Sequence, residues 1–230
     1  MSNVKVYKNL IGGSWVESGS KATYNVLSPI NNEVVSILQL SNRDDVKAAI
    51  DAARDAFNKS EWSHNHWLRH DVLLQMAQAL SNHFDEMVNI DVLETGKPIR
   101  EARAEVTSSI NTLKYAASMT LNIFGRSVYH LKNSIGFIAR EPLGVIGIIV
   151  PWNWPLILLI RSLAPALAMG NTVVIKPASY ASGVVARFIE IISNEVRDLP
   201  SGVINLVTGP GDVVGDELVV NKNVDAIAFT

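Results

Sequence analysis

The sequence has no cysteine in its 230 residues. This absence excludes disulfide bonds, zinc sites with cysteine ligands and a thiol nucleophile from these residues. A reaction that depends on a thiol would therefore need a side chain from outside them.

Strong net charge and long apolar runs are also missing. The 20 basic and 22 acidic residues are mixed along the sequence and give a net charge of −2, which predicts neither nucleic acid nor a membrane as a partner. The longest apolar run, Val145 to Ile160, is shorter than the roughly 20 residues that span a bilayer, and Pro151, Asn153 and Pro155 interrupt it. The first residues lack the apolar segment of a signal peptide, so we expect a cytoplasmic protein with small-molecule partners.

Three histidines, His64, His66 and His70, are close enough in the sequence to suggest a metal cluster. Their segment is polar and has no nearby pattern of further ligands, which favours the alternative, the start of a surface helix. We therefore expect no metal site. The acidic residues of the early helices are likewise interpreted as solvent-exposed faces.

The first 40 residues have the pattern of short strands, with a turn at Gly12–Gly13. Apolar residues at helical spacing then predict three amphipathic helices, over Arg43–Phe57, about Trp67–Met87 and Ile99–Leu113. Gly96 and Pro98 end the second pattern.

Residues 126–141 change to two β-type runs, SVYHL and SIGFIAR, joined at 132–134. This pattern predicts a β-hairpin that leaves the main body. Because an isolated hairpin is marginal in water, we expect it to pack on another subunit or on another part of the chain.

From Val145 onward, apolar strands alternate with helices. The strands are VIGIIV, TVVIK, VINLV and AIAFT, and helices are predicted between them over 156–169, 181–196 and 212–220. Continuous apolar strands in this arrangement predict an α/β fold with a parallel, doubly wound sheet covered on both faces.

Chemically distinctive residues follow these strands, and ligands of such sheets bind at the carboxyl ends of the strands. Asn153 lies in a Pro-Trp-Asn-Trp-Pro corner, where an isolated asparagine would be interpreted as a helix N-cap. Lys176 alone would be a solvated strand end. With the proline after it and the glycine-rich turn GPGDVVG, it suits a nucleotide ribose or phosphate.

Four segments, IIVPWNWP, APALAMGNTVVIKPAS, LPSGVINLVTGPG and VDAIAFT, resemble the NAD(P)-dependent aldehyde dehydrogenases, in consistent order. The resemblance implies a Rossmann-like cofactor-binding domain and a homo-oligomer. Residues 1–125 would be the N-terminal strands and helices of this domain, 126–141 an oligomerisation hairpin and 142–230 its βα units. A separate catalytic domain is expected but missing from these residues.

The resemblance also implies roles for single residues. Asn153 matches the amide that stabilises the oxyanion formed when a cysteine attacks the aldehyde. Lys176 matches the residue that binds the adenosine ribose. Ser179 stands where members that prefer NAD usually carry a glutamate, so we expect NADP to be tolerated as well as NAD. The nicotinamide side corresponds to Ile149, Val150, Pro151 and Trp152, and the adenine and pyrophosphate side to Gly209, Gly215, Phe229 and Thr230.

In that family a Gly-Ser-Thr segment, the general-base glutamate and the nucleophilic cysteine follow the AFT segment, and none of them is present here. We therefore expect the N-terminal part of an enzyme that oxidises an aldehyde to a carboxylic acid, without turnover by these 230 residues alone. The alternative is a non-catalytic nucleotide-binding or assembly fragment that pairs through the hairpin and the last strand.

The substrate is indicated by the helix after the corner, where family members place tunnel residues that here would be Trp154, Leu158 and Arg161. The segments RSLAPALA and KPAS look most like the benzaldehyde and vanillin dehydrogenase branch, which implies an aromatic aldehyde. An arginine at this place also occurs in enzymes for succinate semialdehyde, where it would bind the carboxylate. Both substrate classes remain open.

Overall fold

The structure is a computed structural model that describes residues 4–131 and 133–230. The strands in these ranges are β1 (Lys5–Tyr7), β2 (Asn9–Ile11), β3 (Ser14–Val16), β4 (Thr23–Leu27), β5 (Val34–Gln39), β6 (Arg126–Leu131), β7 (Ser134–Ile138), β8 (Val145–Ile149), β9 (Thr172–Lys176), β10 (Ile204–Leu206) and β11 (Ala226–Phe229). The helices are α1 (Arg43–Lys59), α2 (His66–Asn82), α3 (Phe84–Thr95), α4 (Ile99–Thr120), α5 (Pro155–Ala168), α6 (Ser182–Glu195) and α7 (Asp216–Val220).

The main sheet has the strand order β11-β8-β9-β10-β2-β3. Its first four strands are parallel, which confirms the prediction for the second half of the sequence. The hairpin of β2 and β3 adds an antiparallel edge next to β10, an addition that local sequence pattern does not indicate. A second sheet has the order β1-β5-β4, and β6 pairs with β7 in a third.

Helices cover both faces of the main sheet, as the apolar strands predict. In β9, Val173 and Ile175 pack into the larger core cluster, which includes side chains of α2, α4, α5 and α6. Val174, between them, points to the opposite face and packs with Ile50 of α1 and Leu218 of α7. This alternation places β9 in the interior, with apolar side chains on both of its faces.

The predicted helix over Trp67–Met87 is wrong as a single element, because α2 ends at Asn82 and α3 begins at Phe84. Between them His83 leaves helical geometry, with φ −103° and ψ 21°, and its imidazole contacts the carboxylates of Glu86 and Glu195. The apolar spacing continues through this break, so periodicity alone could not reveal it. Gly96 ends α3 with φ 72°, as its position predicts.

The helix predicted over 212–220 is also different in the structure. Gly211–Gly215 form a wider turn of π type, and regular α-helix begins only at Asp216. α4 in turn is longer than predicted and continues to Thr120, because Ala116, Ala117 and Thr120 extend its buried stripe.

The hairpin forms where the sequence predicts it, with Ser127 opposite Phe137 and Tyr129 opposite Ile135. Lys132, in its predicted connection, lies outside the described residues. Among the described helices, none has the combination of length and apolarity that crossing a membrane requires.

Candidate functional site

The carboxyl ends of the four parallel strands form one edge of the main sheet. Ile149 of β8 is in register with Lys176 of β9 on one side and with Phe229 of β11 on the other. Since β10 continues the same parallel row, the turn that begins at Gly209 lies at this edge as well. The structure therefore brings the predicted nicotinamide, ribose and adenine segments to one side of the sheet.

Asn153 does not cap the helix that follows it. The N-cap of α5 is Trp154, which makes no capping hydrogen bond with its side chain, and Pro155 is the first helical residue. The side chain of Asn153 is exposed, and its amide has no hydrogen-bond partner within residues 4–131 and 133–230. The capping interpretation of Asn153 is therefore wrong, and its amide is available as a donor.

The start of α5 is capped instead by Glu105, a fully buried residue of α4. Its Oε1 accepts hydrogen bonds from the backbone N–H groups of Leu156, at 2.8 Å, and Ile157, at 3.0 Å. A carboxylate at this place also interacts favourably with the positive end of the helix dipole. The expectation that the early acidic residues are solvent-exposed is wrong for Glu105.

Glu105 belongs to a buried ion cluster, which we define as Asp91, Lys97 and Glu105. Lys97 forms an ion pair with Glu105, and its Nζ lies 3.1 Å from Oδ2 of Asp91. Burial and, to a lesser degree, the Glu105 carboxylate raise the pKa of Asp91 to about 7, while Lys97 acts in the opposite direction. The Lys97 Nζ also lies 4.6 Å from the ring centroid of Trp154, within range of a cation–π interaction.

This cluster is not predicted from the sequence, although the sequence contains a signal for it. Glu105 follows Ala102 by three residues and precedes Val106, so it lies on the stripe of α4 that faces the core. A charged residue on an apolar stripe indicates a buried partner, but the sequence does not say which one.

Lys176 is buried, with 5% of its surface exposed, so it is not a solvated strand end. Burial lowers the pKa of its ammonium group. Nζ donates a hydrogen bond to the carbonyl of Pro177 at 3.1 Å, its one partner in the described part of the chain, and the other donors remain for a ligand. A Cβ atom added to Gly215 would lie 3.9 Å from Cδ of Lys176, so the glycine-rich turn and the lysine stem are neighbours.

The glycine-rich turn has room for a ligand to approach its backbone. Gly209 has φ 150°, and a Cβ there would lie 2.8 Å from Cγ2 of Val214, so a larger residue would not fit. At Gly211 a Cβ would meet no atom within 4 Å in the described structure. A buried ammonium beside an open glycine turn fits the ribose and phosphate groups of a dinucleotide.

The N-termini of α5 and α6 are not available to a phosphate. Glu105 occupies the first, and Glu94 occupies the second, where its Oε2 accepts a hydrogen bond from the N–H of Val184 at 3.0 Å. Two helix starts that could bind an anion at this edge therefore hold internal carboxylates.

The predicted substrate residues lie along α5. Leu158 is half-buried and Arg161 is exposed. Arg161 lines a cavity of about 220 Å³ with apolar atoms from α4 and α5, including Tyr115, Met119 and Pro165, whereas Trp154 and Leu158 are not part of its lining. The structure thus places a guanidinium group at an apolar cavity between α4 and α5.

Two of the three neighbouring histidines, His66 and His70, have structural partners. Nδ1 of His66 lies 3.1 Å from the carbonyl oxygen of Thr120, and Nδ1 of His70 lies 2.9 Å from that of Ala117. They join α2 to the last turn of α4. In the described ranges, no group of three or more histidine, aspartate or glutamate side chains is arranged to hold a metal ion.

Comparison with known proteins gave a consistent result. The model of the aldehyde dehydrogenase family matches residues 15–230. Betaine aldehyde dehydrogenase of Bacillus subtilis is 37% identical over 222 residues, which are 96% of this chain and 45% of that protein. The alpha-ketoglutarate semialdehyde dehydrogenase of Haloferax volcanii is 39% identical over 226 residues, 97% of this chain and 46% of that protein.

Solved structures agree with these relatives. The NAD-dependent aldehyde dehydrogenase of Sinorhizobium meliloti superposes with a TM-score of 0.93 at 35% identity, over 97% of this chain and 45% of that one. Betaine aldehyde dehydrogenase of Staphylococcus aureus, in complex with NAD+, gives a TM-score of 0.92 at 33% identity, over 96% of this chain and 44% of that one. The chain spans less than half the length of these relatives.

Proposed function

The chain belongs to the aldehyde dehydrogenase family, and from this we propose that it is the cofactor-binding portion of an enzyme that oxidises an aldehyde to a carboxylic acid with NAD(P)+. The observation that carries the proposal is the row of Phe229, Ile149 and Lys176 at the edge of the sheet, beside the corner that exposes the amide of Asn153.

The residues present would bind and orient both reactants. The Lys176 ammonium would donate hydrogen bonds to the ribose hydroxyls, and the segment from Ile149 to Trp152 would lie along the nicotinamide, which accepts a hydride when the cofactor is bound. The adenine and pyrophosphate groups would lie against Gly209, Gly215, Phe229 and Thr230. The Asn153 amide would donate to the oxygen on which negative charge develops. The thiol that attacks the aldehyde would come from outside these 230 residues, because they contain no cysteine.

The cofactor proposal includes NADP as well as NAD. Ser179 places a neutral hydroxyl three residues after Lys176, so it brings no negative charge that would repel a 2′-phosphate. A structure of the Staphylococcus aureus relative contains NAD+. We therefore infer that this protein accepts both cofactors.

Two classes of aldehyde fit the residues of α5. An apolar cavity suits an aromatic aldehyde, and the exposed guanidinium group of Arg161 at its rim suits an aldehyde that carries a carboxylate. The name of the Haloferax volcanii relative specifies a semialdehyde. A comparison of kcat/KM for benzaldehyde and succinate semialdehyde with the complete enzyme decides between the two classes.

We also infer that the protein is a homo-oligomer that uses the hairpin of β6 and β7. Tyr129 and Ile135 lie opposite each other, and Phe137 follows on the same face of β7. Tyr129 and Phe137 are 81% and 82% exposed, although both are aromatic. Exposed apolar side chains that lie together on one face are typical of a surface that a second chain covers.

Replacement of Asn153 tests the proposed reaction. In the complete enzyme, Asn153→Ala should lower kcat by about 10²- to 10³-fold, because it removes one donor to the oxyanion. The dissociation constants of NAD+ and NADP+, measured by fluorescence titration, should stay within about twofold, since the amide contacts the reacting oxygen rather than the ribose.

Two results would contradict the proposal. If Asn153→Ala keeps the wild-type kcat, the amide is not an oxyanion donor. If neither cofactor binds to the wild-type protein, the alternative of a non-catalytic assembly fragment is favoured instead.

A further inference from the structure

The beginning of α5 is attached to α4 by two hydrogen bonds. The first N–H groups of a helix have no partner within it. Pro155 has no N–H group, and the next two, those of Leu156 and Ile157, both donate to Oε1 of Glu105. Because the acceptor lies 51 residues away in the sequence, α4 determines where α5 begins.

A second contact of the buried ion cluster involves the corner itself. The Lys97 ammonium lies over the ring of Trp154, the residue directly after Asn153. Lys97 is in turn held by Glu105 and Asp91. Contacts from one cluster therefore fix three of the four residues that follow Asn153.

Stability alone does not account for this arrangement. The burial of an ammonium group and two carboxyl groups has a large desolvation cost, and well-packed apolar residues of similar volume are often equally stable or more stable. A small polar residue at the N-cap position would satisfy the helix start more simply than tryptophan with a distant glutamate. What the cluster adds is a fixed position for the corner relative to α4.

We propose that Glu105 and Lys97 are positioning residues that hold the Asn153 amide where the oxyanion develops. This inference rests on the proposed function of Asn153. An oxyanion donor is effective only when it is held in place before charge develops, and a displacement of about 1 Å can cost as much as 10²-fold in rate. Glu105 and Lys97 themselves touch no reactant and act through Leu156, Ile157 and Trp154.

A double-mutant cycle in the complete enzyme tests the proposal. Glu105→Gln keeps an oxygen that can accept from Leu156 and Ile157 but removes the charge that pairs with Lys97. In the wild-type background it should lower kcat by about 10- to 100-fold, with the cofactor dissociation constants unchanged. In the Asn153→Ala background the same substitution should change kcat by less than about twofold, because the donor that it displaces is already absent.

Glu94→Gln is the matched control. Glu94 is also a buried glutamate that caps the helix after a parallel strand, but it accepts its hydrogen bonds from Ser36 and Val184, neither of which belongs to the corner. In the double variant Glu94→Gln and Asn153→Ala, the fold-change in kcat should therefore equal the product of the fold-changes of the two single variants, whatever the size of the Glu94→Gln effect. If Glu105→Gln does not fold, Lys97→Gln takes its place in the cycle with the same expected result.

Hydrogen exchange gives a readout that does not depend on turnover. In Glu105→Gln the amide protons of Leu156 and Ile157 should exchange faster than in the wild type, because a neutral amide oxygen without its ion pair to Lys97 is a weaker acceptor than a carboxylate, while that of Val184 keeps its rate. Unchanged exchange at Leu156 and Ile157 would overturn the proposal.

The kinetic outcomes separate this inference from the proposed function. If Asn153→Ala lowers kcat and the effects of Glu105→Gln and Asn153→Ala multiply, the positioning role is wrong and the oxyanion role stands. If Asn153→Ala leaves kcat unchanged, both are wrong.

Discussion

We propose that cofactor choice can be changed at Ser179. Ser179→Glu should weaken the binding of NADP+ by roughly tenfold or more relative to NAD+, because a carboxylate beside the ribose would repel the 2′-phosphate. Ser179→Ala is the control for loss of the hydroxyl and should leave the ratio of the two dissociation constants nearly unchanged. Fluorescence titration with both cofactors measures the ratio, and a wild-type protein that strongly prefers NAD+ would contradict the role given to Ser179.

The sequence singles out residues whose chemistry is exceptional for their position. An amide in a proline corner, Asn153, and a lysine at the end of a buried strand, Lys176, are unusual, and the structure excludes the ordinary explanation of each, while their roles stay predictions. Glu105 was not predicted, because acidic residues on amphipathic helices are usually solvent-exposed. Its hydrogen-bond donors, Leu156 and Ile157, lie on another helix, and the sequence does not state which helices touch.

At the scale of the element, Glu94 makes the start of α6 sensitive to pH. Burial raises its pKa to about 7, although hydrogen bonds from Ser36, Val184 and Gly183 act to lower it. The folded protein therefore holds a proton that the unfolded chain releases near pH 4.5. As the pH rises from about 4.5 to 7, the free energy of unfolding should therefore fall, by up to about 1.4 kcal/mol per pH unit for this group.

Glu94→Gln should remove the contribution of Glu94 to this slope. The measurement is urea unfolding of the wild type and the variant at several values between pH 4.5 and 8. Part of the slope should remain in the variant, since the pKa of Asp91 is also raised to about 7. Equal slopes for the two proteins would show that Glu94 is not protonated in the folded state over this range.

The elements themselves were predictable to different degrees. Parallel strands such as β9, apolar on both faces, are distinctive, and the positions of β8 to β11 are confirmed. The break at His83 was not predictable, because the residues on either side keep one helical period and the contacts of its imidazole include Glu195 on α6. The turn at Gly211–Gly215 was predicted as ordinary helix because periodicity does not distinguish a π-type turn from the first turn of an α-helix.

At the scale of the whole molecule, the exposed aromatic side chains of the hairpin predict dependence on a second chain. The double substitution Tyr129→Ser and Phe137→Ser should shift the complete protein to a smaller species in analytical ultracentrifugation, because it removes apolar area from the proposed interface. Ser127→Ala is the control, since Ser127 lies opposite Phe137 but offers little apolar surface. An unchanged sedimentation coefficient for the double variant would show that the hairpin does not hold the oligomer together.

The antiparallel edge of the main sheet has a consequence for the order in which the chain can fold during synthesis. Leu10 of β2 pairs with Leu206 of β10, so the hairpin of β2 and β3 joins the sheet through a strand that is made near the end of these residues. Residues 9–16 leave the ribosome early but cannot dock until the chain has been extended past residue 206. Contacts between such distant parts of a sequence form slowly, because a long loop must close before they contribute. We infer that β2 and β3 remain open to other partners, including chaperones, until β10 has been made.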